Sequence, residues 1–321
     1  MSKKPLILAI ESSCDDTAAA VISGRKILSN CVANQKIHIA YGGVVPELAS
    51  RAHQSKIIPV VQQALQQANI NKKELTAIAY TQGPGLLGSL LVGNAFAKSL
   101  ALALNIPLIP INHIQGHLLV HFIEDERIQI PSFPFLGVIL SGGHTQLVDV
   151  RDHFNMNILG TTLDDAIGEA FDKCGKRMGL PYPSGPQIDK LAEKGNPHKF
   201  IFPISKLSNY NVSYSGVKTA FINFISNNEQ KNPDFIKNNL VDLCASLQYT
   251  LVRIILNKIE LVARDKNLTE IVIGGGVAAN TEIRKQLQDI VVKEDWKLSL
   301  PPLEYTTDNA AMIGITAYYK I

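Results

Sequence analysis

Apolar runs alternate with short polar turns along the chain, and the alternation repeats. Leu6–Ile10 is apolar, Glu11-Ser-Ser-Cys-Asp-Asp-Thr17 is polar, and Ala18–Ile22 is apolar again. This predicts strand, turn, strand. The same grammar returns in Phe135–Leu140, Ser141-Gly-Gly-His-Thr145 and Gln146–Val150. Two such units, each opening a half of the chain, predict a duplicated α/β architecture. A further buried strand, Ile271–Ile273, runs into Gly274, Gly275 and Gly276 and then into a helix from about Asn280 or Thr281. Leu86–Leu104 is apolar but broken by Ser89, Asn94, Lys98 and Ser99, so it reads as a buried helix and not a membrane span. Residues 181–186 and 226–233 read as loops, and 124–134 as a domain junction. Ala310–Tyr319 is the last helix, with Thr307-Asp308 as its expected cap. In a duplicated fold that helix can cross back to the first half. The expected domains are 1–130 with 305–321, and 131–304.

Composition narrows the class. With 321 residues, 46% hydrophobic and 18% charged, the chain has the balance of a two-domain globular protein. A net charge of +3 permits an anionic partner without announcing one. Cys14, Cys31, Cys174 and Cys244 are scattered and include no C-x-x-C pair, which points to a reduced, cytoplasmic setting. The first apolar run stops at Glu11, too short for a signal peptide, and no membrane association is expected.

Glycine turns after strands let backbone N–H groups approach phosphate oxygens. Turns at 141–145 and 274–276, with the polar loop 11–17 in the equivalent place, suggest a nucleotide held in a cleft between two similar halves. No G-x-G-x-x-G follows the first strand, which argues against a Rossmann domain. His113-Ile-Gln-Gly-His117 is the metal candidate, since i and i+4 put two imidazoles on one helical face. His121 lies roughly 12 Å along the axis from His113 if all is helix, too far to share the same ion. Ile114 stands where zinc proteases place a glutamate. Asp308 reads equally as third ligand or as helix cap. Cys14 has no basic neighbour to activate it. Lys173, Lys176 and Arg177 read as a solvated helix face or as an RNA contact.

Assembled in order, these residues resemble the TsaD family, the bacterial tRNA threonylcarbamoyladenosine synthases once labelled O-sialoglycoprotein endopeptidases. The resemblance runs nearly end to end. It is carried by Ala9–Thr17, Gly42-Gly-Val-Val-Pro-Glu-Leu-Ala-Ser-Arg51, Thr81-Gln-Gly-Pro-Gly-Leu-Leu-Gly-Ser-Leu90 and Asn112–His117. Ser141–Gln146, Gly168-Glu-Ala-Phe-Asp-Lys173, Ser213-Tyr-Ser-Gly-Val-Lys-Thr219, Gly274–Asn280 and Thr307-Asp-Asn-Ala-Ala311 follow.

The resemblance implies an actin-like fold of the sugar-kinase and heat-shock ATPase type. It implies one iron (Fe2+) per subunit, or zinc, on His113, His117 and Asp308. It assigns nucleotide contacts to Ile139, Leu140, Ser141, Gly142, Gly143, Asp172, Gly185, Asp189 and Asn280. The donor would be threonylcarbamoyl-adenylate, with AMP as product and ATP as an alternative occupant. The acceptor would be the N6 amine of the adenosine 3′ of the anticodon, in tRNAs reading codons that begin with A. TsaB and TsaE would be partners, with a TsaC-type enzyme making the donor. The tyrosine that archaeal and eukaryotic relatives carry near Ile139 is absent, as in the bacterial branch. Glu11 is the nominee for taking the amine proton. The rivals are a metalloprotease, which Ile114 disfavours, an ATPase or kinase of the same fold, and a non-catalytic scaffold subunit, which would have no need of the three ligands.

Overall fold

A computed structural model describes residues 4–35, 37–205 and 207–321, and the chain divides into two compact units. The first comprises Met1–Pro131 with Pro301–Ile321, the second Ser132–Leu300. In the first unit lie β1 (Leu6–Glu11), β2 (Thr17–Ser23), β3 (Lys26–Ala33), β4 (Ala77–Gly83) and β5 (Leu108–Asn112). Its helices are α1 (Ile37–Tyr41), α2 (Pro46–Ala68), α3 (Leu87–Leu104), α4 (His113–Leu119) and, from the end of the chain, α10 (Ala310–Lys320). The second unit holds β6 (Phe135–Leu140), β7 (Thr145–Val150), β8 (Met156–Thr161), β9 (Glu270–Gly274) and β10 (Lys297–Ser299). Its helices are α5 (Ile167–Arg177), α6 (Gly185–Ala192), α7 (Ser215–Glu229), α8 (Phe235–Lys266) and α9 (Thr281–Glu294).

The two sheets are built alike. Strand order is β3-β2-β1-β4-β5 in one and, read the same way, β8-β7-β6-β9-β10 in the other. In each, the first three strands form antiparallel pairs, and the next strand joins the central one in parallel. The duplication inferred from the strand-turn-strand repeats is therefore a duplication of topology. Both central strands are buried along almost their whole length, as strands covered on two faces must be. In the first unit, Leu8, Ile10, Val21 and Ile78 pack with Ile57, Val61 and Ala97 of α2 and α3. On the opposite face α10 comes close enough that a Cβ on Gly314 would lie 3.0 Å from Ile22. In the second unit, Val138, Ile271 and Ile273 join a core with Leu251 and Ile255 of α8 and Phe221 of α7.

Three local expectations need correction. Residues 226–229 continue α7, so the expected loop starts only after Glu229. Leu87–Leu104 is helical as α3, yet its buried residues are Ser89, Gly93, Ala97 and Ala101, while Leu87, Leu91 and Leu102 are exposed. The small residues face the sheet because β1 and the loop after it come so close that a Cβ on Gly93 would collide with Ser12 Oγ. The cap of α10 is Asn309, whose side chain accepts the Met312 N–H at 3.1 Å, and not Asp308.

Candidate metal centre and glycine turns

Parallel pairing brings the carboxyl ends of β1, β4 and β5 to one edge of the first sheet, with Ile10 opposite Tyr80 and Gly83 opposite Asn112. Such an edge is where open α/β sheets bind ligands. Asn112 ends β5 and caps α4, its side chain accepting the N–H groups of Ile114 at 2.9 Å and Gln115 at 3.2 Å. That cap sets the first turn of α4, so His113 and His117 share one face. Their Nε2 atoms are 3.2 Å apart, with the rings at 84°. Asp308 Oδ1 lies 3.4 Å from His113 Nε2 and 3.3 Å from His117 Nε2. Because Asn309 caps α10, the Asp308 carboxylate is left free to face the histidines.

The three atoms form a near-equilateral triangle. Ligands about 2.0–2.2 Å from one ion at tetrahedral angles stand about 3.4 Å apart, so the edges fit a single transition metal. Two imidazole nitrogens and a carboxylate oxygen aimed at one another also repel unless a proton or a metal ion lies among them. An N2O set of this kind suits iron or zinc better than magnesium. Both histidines are buried, while the Asp308 side chain is 25% exposed, which opens the triangle on one side. His121 is buried in the turn after α4 and lies outside the triad.

Glu11 lies beneath this centre and is fully buried. Its Oε2 accepts from His113 Nδ1 at 2.9 Å and from Thr81 Oγ1 at 2.6 Å, and its Oε1 accepts from Ser13 N. Burial pushes its carboxyl up, but the charge of His113 and the bond to it outweigh that and hold it low. Burial likewise opposes charge on Asp308, and His113 and then His117 overcome it, leaving the carboxyl well below the usual carboxylate range. Burial lowers His113, yet Glu11 and Asp308 raise it well above an ordinary histidine. A carboxylate whose oxygens are enclosed and bonded in this way cannot reach a substrate amine, so the geometry speaks against the general-base role expected for Glu11.

The polar loop after β1 is clamped from several sides. Ser12 Oγ donates to Ser89 O, Ser89 Oγ to Cys14 O, and Leu86 N to Ser13 O. His53 bridges the loop, accepting from Thr17 Oγ1 at 2.8 Å and donating to Cys14 O at 2.9 Å. Burial, then the charge of Asp15, pushes the Cys14 thiol far up, so it is no nucleophile. Asp16 rises to about 7 for the same reasons, partly offset by the Asn34 side chain.

In the second unit the parallel register of β6 and β9 sets Ile139 opposite Gly274, so both glycine turns emerge side by side. Gly275 has φ +93°, and a Cβ there would lie 2.4 Å from Leu140 O, which only glycine tolerates. Ile139 and Leu140 are buried strand residues, and Ser141 closes the first turn by accepting His144 N at 3.0 Å on Oγ. Gly142 and Gly143 are exposed, and a Cβ on either would meet nothing within 4 Å. Packing does not demand glycine at these two positions, and an unobstructed backbone is what a phosphate requires. Asp172 accepts Ser184 N at 2.7 Å beside Gly185, the first residue of α6, and burial raises its carboxyl. Asp189 accepts Thr281 N and Thr281 Oγ1, at 2.9 and 2.8 Å. Asn280 caps α9 by accepting Ile283 N, while its amide donates to Gln248 Oε1 at 2.9 Å.

Thus the structure gathers His113, His117 and Asp308 with Glu11 in the first unit, and joins Asp172 to Gly185 and Asp189 to Asn280 through Thr281 in the second. Lys173 pairs with Asp165 and Glu169, and Arg177 with Glu229. Sequence reasoning missed Thr81 and Gln248. Thr81 carries no local signal beyond its place at the end of β4, and Gln248 sits mid-helix in α8.

Comparison with known proteins adds to this geometry. The family model described as TsaD, tRNA N6-adenosine threonylcarbamoyltransferase, matches residues 26–315. A relative of that name from Christiangramia forsetii is 57% identical over 314 residues, 98% of this chain and 92% of its own. Another from Riemerella anatipestifer is 55% identical, over 99% and 93%. Among solved structures, component A of (R)-2-hydroxyglutaryl-CoA dehydratase from Acidaminococcus fermentans superposes with a TM-score of 0.56 at 14% identity, covering 98% of each chain. Full-length HypF in its phosphate- and nucleotide-bound form gives 0.63 at 12%, covering all of this chain and 47% of HypF. These two structures show the actin-like fold.

Proposed function

The chain belongs to the TsaD family of tRNA N6-adenosine threonylcarbamoyltransferases, and from that premise we infer that it transfers a threonylcarbamoyl group to the N6 amine of an adenosine in tRNA. The donor is threonylcarbamoyl-adenylate, the acceptor is the adenosine 3′ of the anticodon in tRNAs reading codons that begin with A, and the product is t6A. The amine forms a C–N bond to the carbamoyl carbon, the bond from that carbon to the phosphate oxygen breaks, the amine loses a proton, and AMP departs. An exocyclic adenine amine is a weak nucleophile, so the carbonyl must arrive activated as the mixed anhydride.

The observation that carries this reading is the triangle of His113 Nε2, His117 Nε2 and Asp308 Oδ1, with edges of 3.2–3.4 Å. A kinase of the same fold would instead offer carboxylates to magnesium, and a protease would need a glutamate at Ile114. Iron as Fe2+ is the native ion in this reading, with zinc an alternative. Held there, it supplies Lewis acidity toward a carbonyl or phosphoryl oxygen. The open backbone of Ser141, Gly142 and Gly143, with Ile139 and Leu140 behind it, binds the donor phosphate and holds its growing charge without rearranging. Asp172, Gly185, Asp189 and Asn280 bind the ribose and base of the adenylate, and AMP or ATP occupies the same residues. The leucines that α3 turns outward, Leu87, Leu91 and Leu102, suit a partner protein of the TsaB kind, with TsaE joining and a TsaC-type enzyme making the donor. The setting is cytoplasmic.

The test is transfer to a tRNA transcript with donor generated in place, with TsaB and TsaE present, before and after chelation. Activity is expected to vanish on chelation and in His117→Ala, and to return to the chelated wild type with Fe2+ or Zn2+. Full activity in metal-free protein would overturn the reading.

A further inference from the structure

We propose that Glu11 is a positioning residue, fixing His113 in the tautomer that turns an unprotonated Nε2 toward His117 and Asp308. The inference rests on the metal-binding reading above. Glu11 stands at the carboxyl end of β1 with no exposed surface, and its Oε2 is 2.9 Å from His113 Nδ1. An ionised carboxylate has no proton to offer, so the ring must donate from Nδ1. A neutral imidazole with its proton on Nδ1 carries its lone pair on Nε2, the atom that faces the triangle. Thr81 Oγ1 steadies the same carboxylate oxygen at 2.6 Å, and Ser13 N holds the other.

The neighbours explain why an acid is needed and an amide of the same shape would fail. His113 Nδ1 and the fixed backbone N–H of Ser13 both require an acceptor, one on each carboxylate oxygen. Glutamine has one oxygen. If that oxygen serves Ser13, its NH2 faces His113 Nδ1, the ring must accept there, and the proton moves to Nε2, which then cannot ligate. If it serves His113, the NH2 meets the Ser13 N–H donor to donor. The carboxylate thus acts on the metal through His113, as groups hydrogen-bonded to ligating histidines do.

The experiment is Zn2+ affinity of the full chain, by competition with a chromophoric chelator. The proteins are wild type, Glu11→Gln, Thr81→Val, His113→Ala and the Glu11→Gln, His113→Ala double variant. Thermal melts of the zinc-free proteins report folding. Glu11→Gln is expected to raise the Kd about 10–100-fold with a zinc-free melt near wild type. Thr81→Val, which loosens the carboxylate without removing it, should raise the Kd several-fold and carries the test if Glu11→Gln does not fold. In the His113→Ala background, Glu11→Gln should change nothing further. Wild-type affinity in both Glu11→Gln and Thr81→Val, or a loss that persists undiminished without His113, overturns the proposal. A wild-type chain that binds no zinc or iron removes the metal reading itself, and this inference with it.

Discussion

Gly168, near the start of α5, offers a sharp test of how the first glycine turn is held. An alanine Cβ there would lie 2.8 Å from Gly142 Cα, 2.8 Å from Ser141 O and 3.0 Å from Gly142 N. All three are backbone atoms, so no side chain can swing aside. Ordinary contact begins at 3.4 Å, and either α5 or the turn must move by about half an ångström. Two effects oppose each other. Alanine favours the helix by up to about 1 kcal/mol over glycine, while overpacking costs about 1–3 kcal/mol. Overpacking wins, and Gly168→Ala should lose about 0–2 kcal/mol of stability. The effect on the turn is larger in consequence, because Gly142 and Gly143 are the residues proposed to meet phosphate. Loss of one charge-assisted hydrogen bond, about 1.5–3 kcal/mol, corresponds to roughly a 10–100-fold rise in the Kd for AMP. Calorimetry with AMP, a denaturant melt and metal analysis measure the three quantities, and metal content should not change. Gly142→Ala is the counterpart, since its Cβ meets nothing: it should leave stability alone and still weaken AMP. A Gly168→Ala protein about 1 kcal/mol more stable than wild type, with unchanged AMP affinity, would refute the reasoning.

Two further predictions follow from buried polar groups. Asp16, raised to about 7 mainly by burial, contributes stability that is complete below its unfolded value of 3.8 and lost as pH climbs through 7. Asp16→Asn should therefore be near neutral at pH 4 and stabilising by about 1–3 kcal/mol at pH 8 in denaturant titrations, and an equal gain at both pH values would contradict it. Asn309→Ala removes a fully buried cap that accepts Met312 N and donates to Thr307 O. A loss of about 1–2 kcal/mol is expected, with weaker zinc retention because Asp308 is set by that cap, and unaltered zinc affinity would show that Asp308 is held by something else.

Much of this was legible in the residue order, because the signals were local. The i, i+4 spacing of His113 and His117 needs only one turn of helix to become a shared face, and Asn112 supplies the cap for that turn. The two strand-turn-strand units announced the duplication because a hairpin is written in adjacent residues. Glycine at 275 marked a turn for the same reason. Neighbouring positions were harder. Asp308 and Asn309 are both good caps, and only the path of the chain into α10 decided that Asn309 would cap and leave Asp308 to the histidines.

What the tertiary structure alone decided is whatever depends on contacts between distant segments. Apolar content made α3 look like a buried helix, but burial is set by which face meets the sheet. There the close approach of Ser12 to Gly93 selected the small residues and sent Leu87, Leu91 and Leu102 outward. Glu11 reads in sequence as an acid at a strand end, free to serve as a base. The parallel pairing of β1 with β4 and of β4 with β5 encloses it between Thr81 and His113. Periodicity and turn chemistry are properties of short windows, so the sequence by itself determined the elements and the two histidines. The carboxylate of Asp308 beside the histidines, the buried Glu11 behind them and the outward leucines depend on which windows pack together, and that only the fold decides.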